Sequence, residues 1–237
     1  MLLVERGLAA SRAEAQAAIA AGLVRADGEE IAKPSRVVAR DAALDYARAH
    51  AYVSRGALKL EAALARFGYS PRDRICLDLG ASTGGFTQLL LAQGARKVYA
   101  VDVGHGQLHP TLTGDPRVVA KEGINARSLS RNEIPEPVEA LVADLSFISL
   151  KLALPAALAL AAPEAWLVAL IKPQFEVGRT RLGKGGIVRN QADRSAARDD
   201  IVDWISSVQG WTVDGVIDSP IAGGDGNREF LLAARRS

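Results

Sequence analysis

Residues 77–90, LDLGASTGGFTQLL, carry the spacing in this chain that most plainly points to chemistry: an apolar run breaks into glycines and resumes as an amphipathic helix. Gly80, Gly84 and Gly85 give G-x-x-x-G-G. This is not the G-x-G-x-x-G of a dinucleotide loop, and no Gly-Lys-Ser/Thr follows to grip a triphosphate, so nicotinamide and ATP chemistry both weaken. A loop between a first strand and its helix still lets a ligand approach the backbone at the carboxyl edge of an open α/β sheet. Asp102 ends the run KVYAVDV, 22 positions after Gly80, where a carboxylate can accept two hydrogen bonds from a ribose diol. A nucleoside-like ligand is expected, with Asp78 orienting an amino group from beneath the loop. The single cysteine, Cys76, can form no internal disulfide and has no neighbours at zinc-site spacing. His105 and His109, in VGHGQLHP, read as loop residues.

The elements that must position such a loop follow from the surrounding pattern. At 237 residues, 49% hydrophobic and 24% charged, the chain can bury one sizeable core and fold a small extra module. Its formal charge of +2 decides nothing about partners. No secretion signal is read at MLLVERGLAASR, so a cytoplasmic protein is expected. The apolar stretch 150–171 is interrupted by Lys151, Pro155, Pro163 and Glu164, which predicts helix, turn and buried strand rather than a membrane span. Strands are expected at RICLDL, RKVYAVDV, RVVAKE, VEALVADL, AWLVALI, TVDGVIDS and REFLLAA, with helices at about 149–161 and 191–208. Strands alternating with helices predict a doubly wound α/β sheet. The basic, glycine-rich stretch GRTRLGKGGIVRN, 178–190, is a candidate mobile loop.

Residues 1–48 read differently. Ser11 and Glu14 form a capping-box pattern at the start of a helix that Gly22 ends, and Asp27-Gly28 separates two β-prone pieces as a hairpin turn would. The pattern of G-L, S-R, A, I-x-x-G-x-V and D-G resembles the small α+β RNA-binding domain of the fourth small-subunit ribosomal protein. Seven Lys/Arg face seven Asp/Glu in this stretch, so a positive face depends on arrangement, with Arg6, Arg12, Arg25 and Lys33 as candidates for RNA contact. Residues 49–55 are read as a linker and 56–237 as the second domain.

The pair D-L-G-A-S-T-G-G-F-T and V-D-V-G resembles the S-adenosylmethionine site of Rossmann-type methyltransferases. That resemblance implies a mostly parallel seven-stranded sheet and a cofactor held by Asp78, Gly80, Ser82, Thr83, Gly84, Gly85, Phe86, Asp102 and Asp144, with Asn125 facing the adenine. YVSRGALKL (52–60), VADLSFIS (142–149), LIKPQFEVG (170–178) and GNREFLLAA (226–234) extend the likeness. Together these motifs are similar to the TlyA family, known both as hemolysins and as ribosomal RNA 2′-O-methyltransferases within the FtsJ-like, heat-shock-type group. The resemblance implies a Lys-Asp-Lys-Glu catalytic set at Lys59, Asp144, Lys172 and Glu229, ribosomal RNA or ribosomal subunits as partner, and no role for DNA, metal or membrane.

A ribose 2′-hydroxyl must be positioned in line and relieved of its proton before it can attack a methyl group, and lysine can do both. Lys172 is the candidate base, Lys59 the neighbouring cation, and Asp144 and Glu229 restrain the two ammonium groups. Phe147, Arg179, Arg181 and Lys184 are candidates for stacking or phosphate contact. Each of the four core residues also has a plainer explanation. Lys172 could be a strand-end lysine, Asp144 a helix cap, Lys59 the polar face of its helix, and Glu229 an edge-strand charge. ADLSFIS replaces the Asn/Asp-Pro-Pro-aromatic loop of amino-directed methyltransferases, and Cys76, within a core strand, does not suit cytosine-carbon methylation. Two alternatives remain at this stage: a membrane-lytic factor, and an RNA-binding protein with a vestigial cofactor site.

Overall fold

The computed structural model describes residues 1–9, 12–20, 22–46 and 52–237, which fall into two compact units, residues 1–51 and 52–237. In the first, helices α1 (Leu2–Glu5) and α2 (Arg12–Ala20) precede strands β1 (Val24–Ala26), β2 (Glu29–Glu30) and β3 (Leu44–Tyr46). β1 and β2 are antiparallel across Asp27 and Gly28, both at positive φ (51° and 82°), as a tight hairpin turn requires. β3 pairs with the other side of β1, an element the sequence pattern did not announce. Leu3, Ile19, Val24, Ala26 and Ile31 form the small core. The expected Ser11–Glu14 capping box lies outside the described residues.

The second unit runs α3 (Gly56–Phe67), β4 (Ile75–Leu79), α4 (Gly85–Ala92), β5 (Lys97–Asp102), α5 (Pro110–Thr113), β6 (Val118–Glu122), β7 (Val138–Ala143), α6 (Leu150–Ala159), β8 (Ala161–Ile171), α7 (Pro173–Glu176), α8 (Gln191–Ser207), β9 (Trp211–Asp218) and β10 (Phe230–Arg236). The sheet order is β6-β5-β4-β7-β8-β10-β9. β4 to β8 are mutually parallel, and β10 is antiparallel to both β8 and β9. The expected mostly parallel seven-stranded sheet is therefore present. All five residues of β4 are buried, as a central strand covered on both faces requires. Cys76 joins Leu60, Leu64, Phe86 and Leu90 in one core layer, while Leu77 and Leu79 join Leu150, Leu154, Ile201 and Ile205 in the other.

Two expectations shift in detail. β8 begins at Ala161, four residues before the run AWLVALI, with Glu164 at φ 61°. The stretch 178–190 folds into two 3₁₀ turns, Arg179–Arg181 and Lys184–Gly186. It is anchored at Val188, 2% exposed, whose N–H donates to Asn227 Oδ1 at 3.0 Å.

Strand register brings the carboxyl ends together. Leu79 is level with Val101 and with Ala143, so Gly80, Asp102 and Asp144 leave the sheet side by side. Phe230 pairs with Ile171, so Glu229 and Lys172 flank the same end of the neighbouring pair. Residues up to 149 positions apart in the chain thus share one edge because β10 is inserted antiparallel between β8 and β9.

Candidate active site

Gly80 takes φ 80°, and a Cβ there would stand 2.5 Å from the Asp144 backbone carbonyl. Only glycine lets β4 and β7 end this close together. Two cavities open on either side of that contact and share Gly80, Ser82 and Asp144 in their linings. One, of about 490 Å³, is walled by Asp102, Asn125, Gln107 and the apolar Val103, Ile124, Ala126, Leu145 and Ile148. The other, of about 400 Å³, is walled by Ser54, Arg55, Lys59, Thr83, Gly85, Phe86, Lys172, Glu229 and residues 221, 222 and 224.

Asp102 is held by two backbone amides, Ser82 N–H to Oδ2 at 2.8 Å and Gly104 N–H to Oδ1 at 2.7 Å. Each oxygen retains a second lone pair for a ligand hydroxyl. Asn125 Oδ1 accepts from Arg127 N–H at 3.0 Å, which leaves its amide NH₂ as the group available to a ligand. Two of the residues expected at the cofactor line neither cavity. Gly84 lines neither cavity; it turns the chain into α4 at φ 94°, and any Cβ would collide with Leu112 and Leu108, so packing explains this glycine. Asp78 is fully buried beneath the loop and also lines neither cavity. Thr87 Oγ donates to its Oδ2 at 2.7 Å, and Oδ1 has no hydrogen-bond partner among the described residues. Burial pushes the Asp78 carboxyl up to about 7, with Asp144 and Asp102 adding to the effect and the Thr87 hydrogen bond opposing it.

The four charged residues converge as two ion pairs on the wall of the smaller cavity. Lys59, on the second turn of α3, lies 2.6 Å from Glu229, with side chains only 9% and 2% exposed. Lys172, just past β8, lies 2.6 Å from Asp144, with side chains 12% and 24% exposed. The plainer explanations fail for three of the four. Glu229 precedes an interior strand and is buried, Ser149 rather than Asp144 caps α6, and Lys59 pairs with an acid 170 residues away instead of one on its own helix. Lys172 does sit at a strand end, but its amine also donates to Ser146 Oγ at 2.8 Å.

The candidate RNA-contacting side chains divide. Arg12, Arg25 and Lys33 are exposed on the first unit, and Arg179 and Lys184 on the second. Arg6 does not fit the expectation: its guanidinium donates to the backbone carbonyls of Ala42 and Arg40 and ties α1 to that segment. Arg181 stands 3.6 Å from Asp193, so its charge is already partly balanced. Phe147 is 91% exposed at φ 64°, with its ring 5.1 Å from that of Phe175. Sequence reasoning missed Arg55, which lines the smaller cavity one turn before Lys59, and Ser146; both sit inside motifs, SRGALK and ADLSF, that were read for other residues.

A glycine loop at the carboxyl edge of a seven-stranded sheet with one antiparallel insertion is the architecture of methyltransferases. An O-methyltransferase from Bacillus cereus, solved in complex with SAH, shares this fold with a TM-score of 0.54 at 16% identity, over 79% of this chain and 84% of that one. The chain belongs to the FtsJ-like methyltransferase family, whose model matches residues 52–236, and an S4 domain matches residues 1–43. It is 46% identical over 98% of its length, and 87% of the relative's, to the 16S/23S rRNA (cytidine-2′-O)-methyltransferase TlyA of Mycobacterium tuberculosis. It is also 41% identical to Hemolysin A of Brachyspira hyodysenteriae, over 95% of this chain and 94% of that one. A Streptococcus thermophilus structure provisionally named hemolysin matches with a TM-score of 0.81 at 40% identity, over 100% of this chain and 86% of that one.

Proposed function

We propose that this protein transfers a methyl group from S-adenosylmethionine to a ribose 2′-hydroxyl of ribosomal RNA, at a cytidine, in the cytoplasm. The observation that carries the reading is the pair of lysine–carboxylate contacts, Lys59–Glu229 and Lys172–Asp144, on the wall of one cavity beside the glycine loop. The relatives named for rRNA cytidine-2′-O-methylation support the substrate.

The residues present fit the cofactor. The apolar wall with Asp102 and Asn125 suits a nucleoside, and the backbone of residues 80–83 with Phe86 suits an amino-acid tail. Bound there, it would supply an electrophilic methyl group. Asp78 supports this loop from below rather than touching the ligand.

The two lysines are not equivalent. Glu229 is almost dry, and a buried carboxylate left without its counter-charge is among the costliest arrangements a protein can hold. Lys59 is therefore the fixed cation that steadies negative charge growing on the ribose oxygen. Asp144 is less buried than Glu229, although the Oδ1 that faces Lys172 is itself shut off from water; Lys172, as the neutral amine, can accept the hydroxyl proton and become the ammonium that this carboxylate holds. A thiol mechanism has no support, because burial pushes the Cys76 thiol up to about 12. Arg55 at the rim, with Arg179 and Lys184, would meet phosphates, and the exposed Phe147 ring offers a surface for an unstacked base. Residues 1–48 would grip RNA. Among the described residues no helix is long and apolar enough to cross a membrane.

The test is incubation with labelled S-adenosylmethionine and isolated ribosomal subunits, followed by mapping of alkali-resistant linkages. Label on a ribose is expected, and label on a base would overturn the reading. Lys172→Ala should bind the cofactor as the wild type does and lose transfer.

A further inference from the structure

Among the described residues, the directed hydrogen bond of Lys172 falls outside the set of four charged residues. Its Nζ donates to Ser146 Oγ at 2.8 Å, whereas Asp144 Oδ1, although 2.6 Å away, receives no aligned hydrogen bond. A charge at that distance supplies a field that depends weakly on direction; a hydrogen bond weakens steeply when it bends. The carboxylate therefore holds the amine in place, and the hydroxyl sets which way it points. We propose that Ser146 is a positioning residue for methyl transfer, holding the Lys172 amine so that its free direction faces the ribose hydroxyl.

The placement of the two residues supports this. Ser146 lines the larger cavity and Lys172 the smaller, so the hydroxyl approaches the amine from the nucleoside side and leaves the opposite side open. A hydroxyl also serves both protonation states, accepting from an ammonium and donating to a neutral amine, which a carboxylate cannot do. For the transfer Lys172 first releases one ammonium proton to water; the ribose O–H bond then breaks and its proton bonds to the neutral Nζ, restoring the ammonium beside Asp144. The oxygen's electron pair takes the methyl carbon, and the sulfur keeps the electrons of the broken C–S bond. Ser146 remains a partner of the amine before and after, so Lys172 need not rotate during the step.

This inference rests on the reading of Lys172 as base, and the experiment separates the two. Ser146→Ala should slow single-turnover transfer by about ten-fold, the loss of one charge-assisted hydrogen bond, with Kd for S-adenosylmethionine and for the subunit unchanged. Ser146→Thr, which keeps the hydroxyl, should restore the rate. In a Lys172→Ala background, measured on the residual single-turnover rate over long incubation, the Ser146→Ala change should cost nothing further, because the hydroxyl acts only through the amine. Wild-type rate in Ser146→Ala, a loss confined to either Kd, or an equal additional loss in the Lys172→Ala background would each overturn the proposal. Full activity of Lys172→Ala would strike the base assignment itself and take the role of Ser146 with it.

Discussion

The Lys59–Glu229 pair permits a perturbation whose structural and chemical consequences separate. At 2.6 Å and an effective dielectric of about 20, the two charges attract by about 6 kcal/mol, which offsets the cost of removing both from water. Glu229→Gln leaves the Lys59 ammonium, 9% exposed, without its counter-charge. Breaking a buried pair from one side costs about 3–5 kcal/mol, so the thermal midpoint should fall by about 10 °C. Lys59→Met combined with Glu229→Gln removes both charges and should recover most of that stability while methyl transfer remains lost. All three tryptophans lie in the unit 52–237, so tryptophan fluorescence during urea unfolding reads this unit directly. Labelled-methyl transfer to subunits reads the chemistry. A loss below about 1 kcal/mol in Glu229→Gln would mean that the pair behaves as a hydrated surface contact. A double variant that regains both stability and activity would show that the reaction does not use this cation.

Two further outcomes follow from individual side chains. Asp78 has its carboxyl raised to about 7 by burial, so the folded state holds a proton there that the unfolded chain releases near pH 4. Stability contributed by this group is full below about pH 4 and falls as pH rises through about 7, by up to about 4 kcal/mol. Asp78→Asn keeps an acceptor for Thr87 and should flatten that decline, gaining stability at pH 8 relative to pH 5; parallel midpoint-against-pH curves for the two proteins would refute it. Lys184→Ala should weaken subunit binding and reduce the slope of log K against log salt by about one. Arg6→Ala should instead lower the melting midpoint through its lost carbonyl contacts at Ala42 and Arg40, and an affinity loss at unchanged stability would return Arg6 to the RNA-facing group.

The sequence made the sheet and the four-residue charged set legible for different reasons. Strands such as ICLDL and KVYAVDV announce themselves because a strand buried on both faces must be apolar throughout. Lys59, Asp144, Lys172 and Glu229 became visible through motif resemblance, since no local spacing links a residue on α3 with residues just beyond the ends of β7, β8 and β10. Gly84 and Asp78 show the limit of that route. Both belong to the motif, yet one answers to Leu112 and the other to Thr87, and a motif does not distinguish a residue that touches a ligand from one that shapes the loop beneath it. Arg6 shows the same limit for charge, because its partners are backbone carbonyls more than thirty positions away.

Cross-ties explain how the three groups on loops, Asp144, Lys172 and Glu229, can keep their geometry. Glu176 accepts from Ser149 Oγ at 2.5 Å and from Leu150 N–H at 2.9 Å, clipping α7 to the start of α6. Ser146 and Lys172 lie three and four residues before the two ends of that clip, so the hydroxyl and the amine it orients are fastened by the same contact. Burial raises the Glu176 carboxyl above its ordinary range, against the opposing pull of those two hydrogen bonds; its placement therefore depends on both donors. Asn227, 1% exposed, does the corresponding work on the other side. Its side chain accepts from Val188 N–H and donates to the Gly186 carbonyl, two residues before Glu229. The basic loop that carries Lys184 and the segment that carries the partner of Lys59 are thus one mechanical unit. RNA held at that loop would be linked to the segment of Glu229 through the buried amide of Asn227.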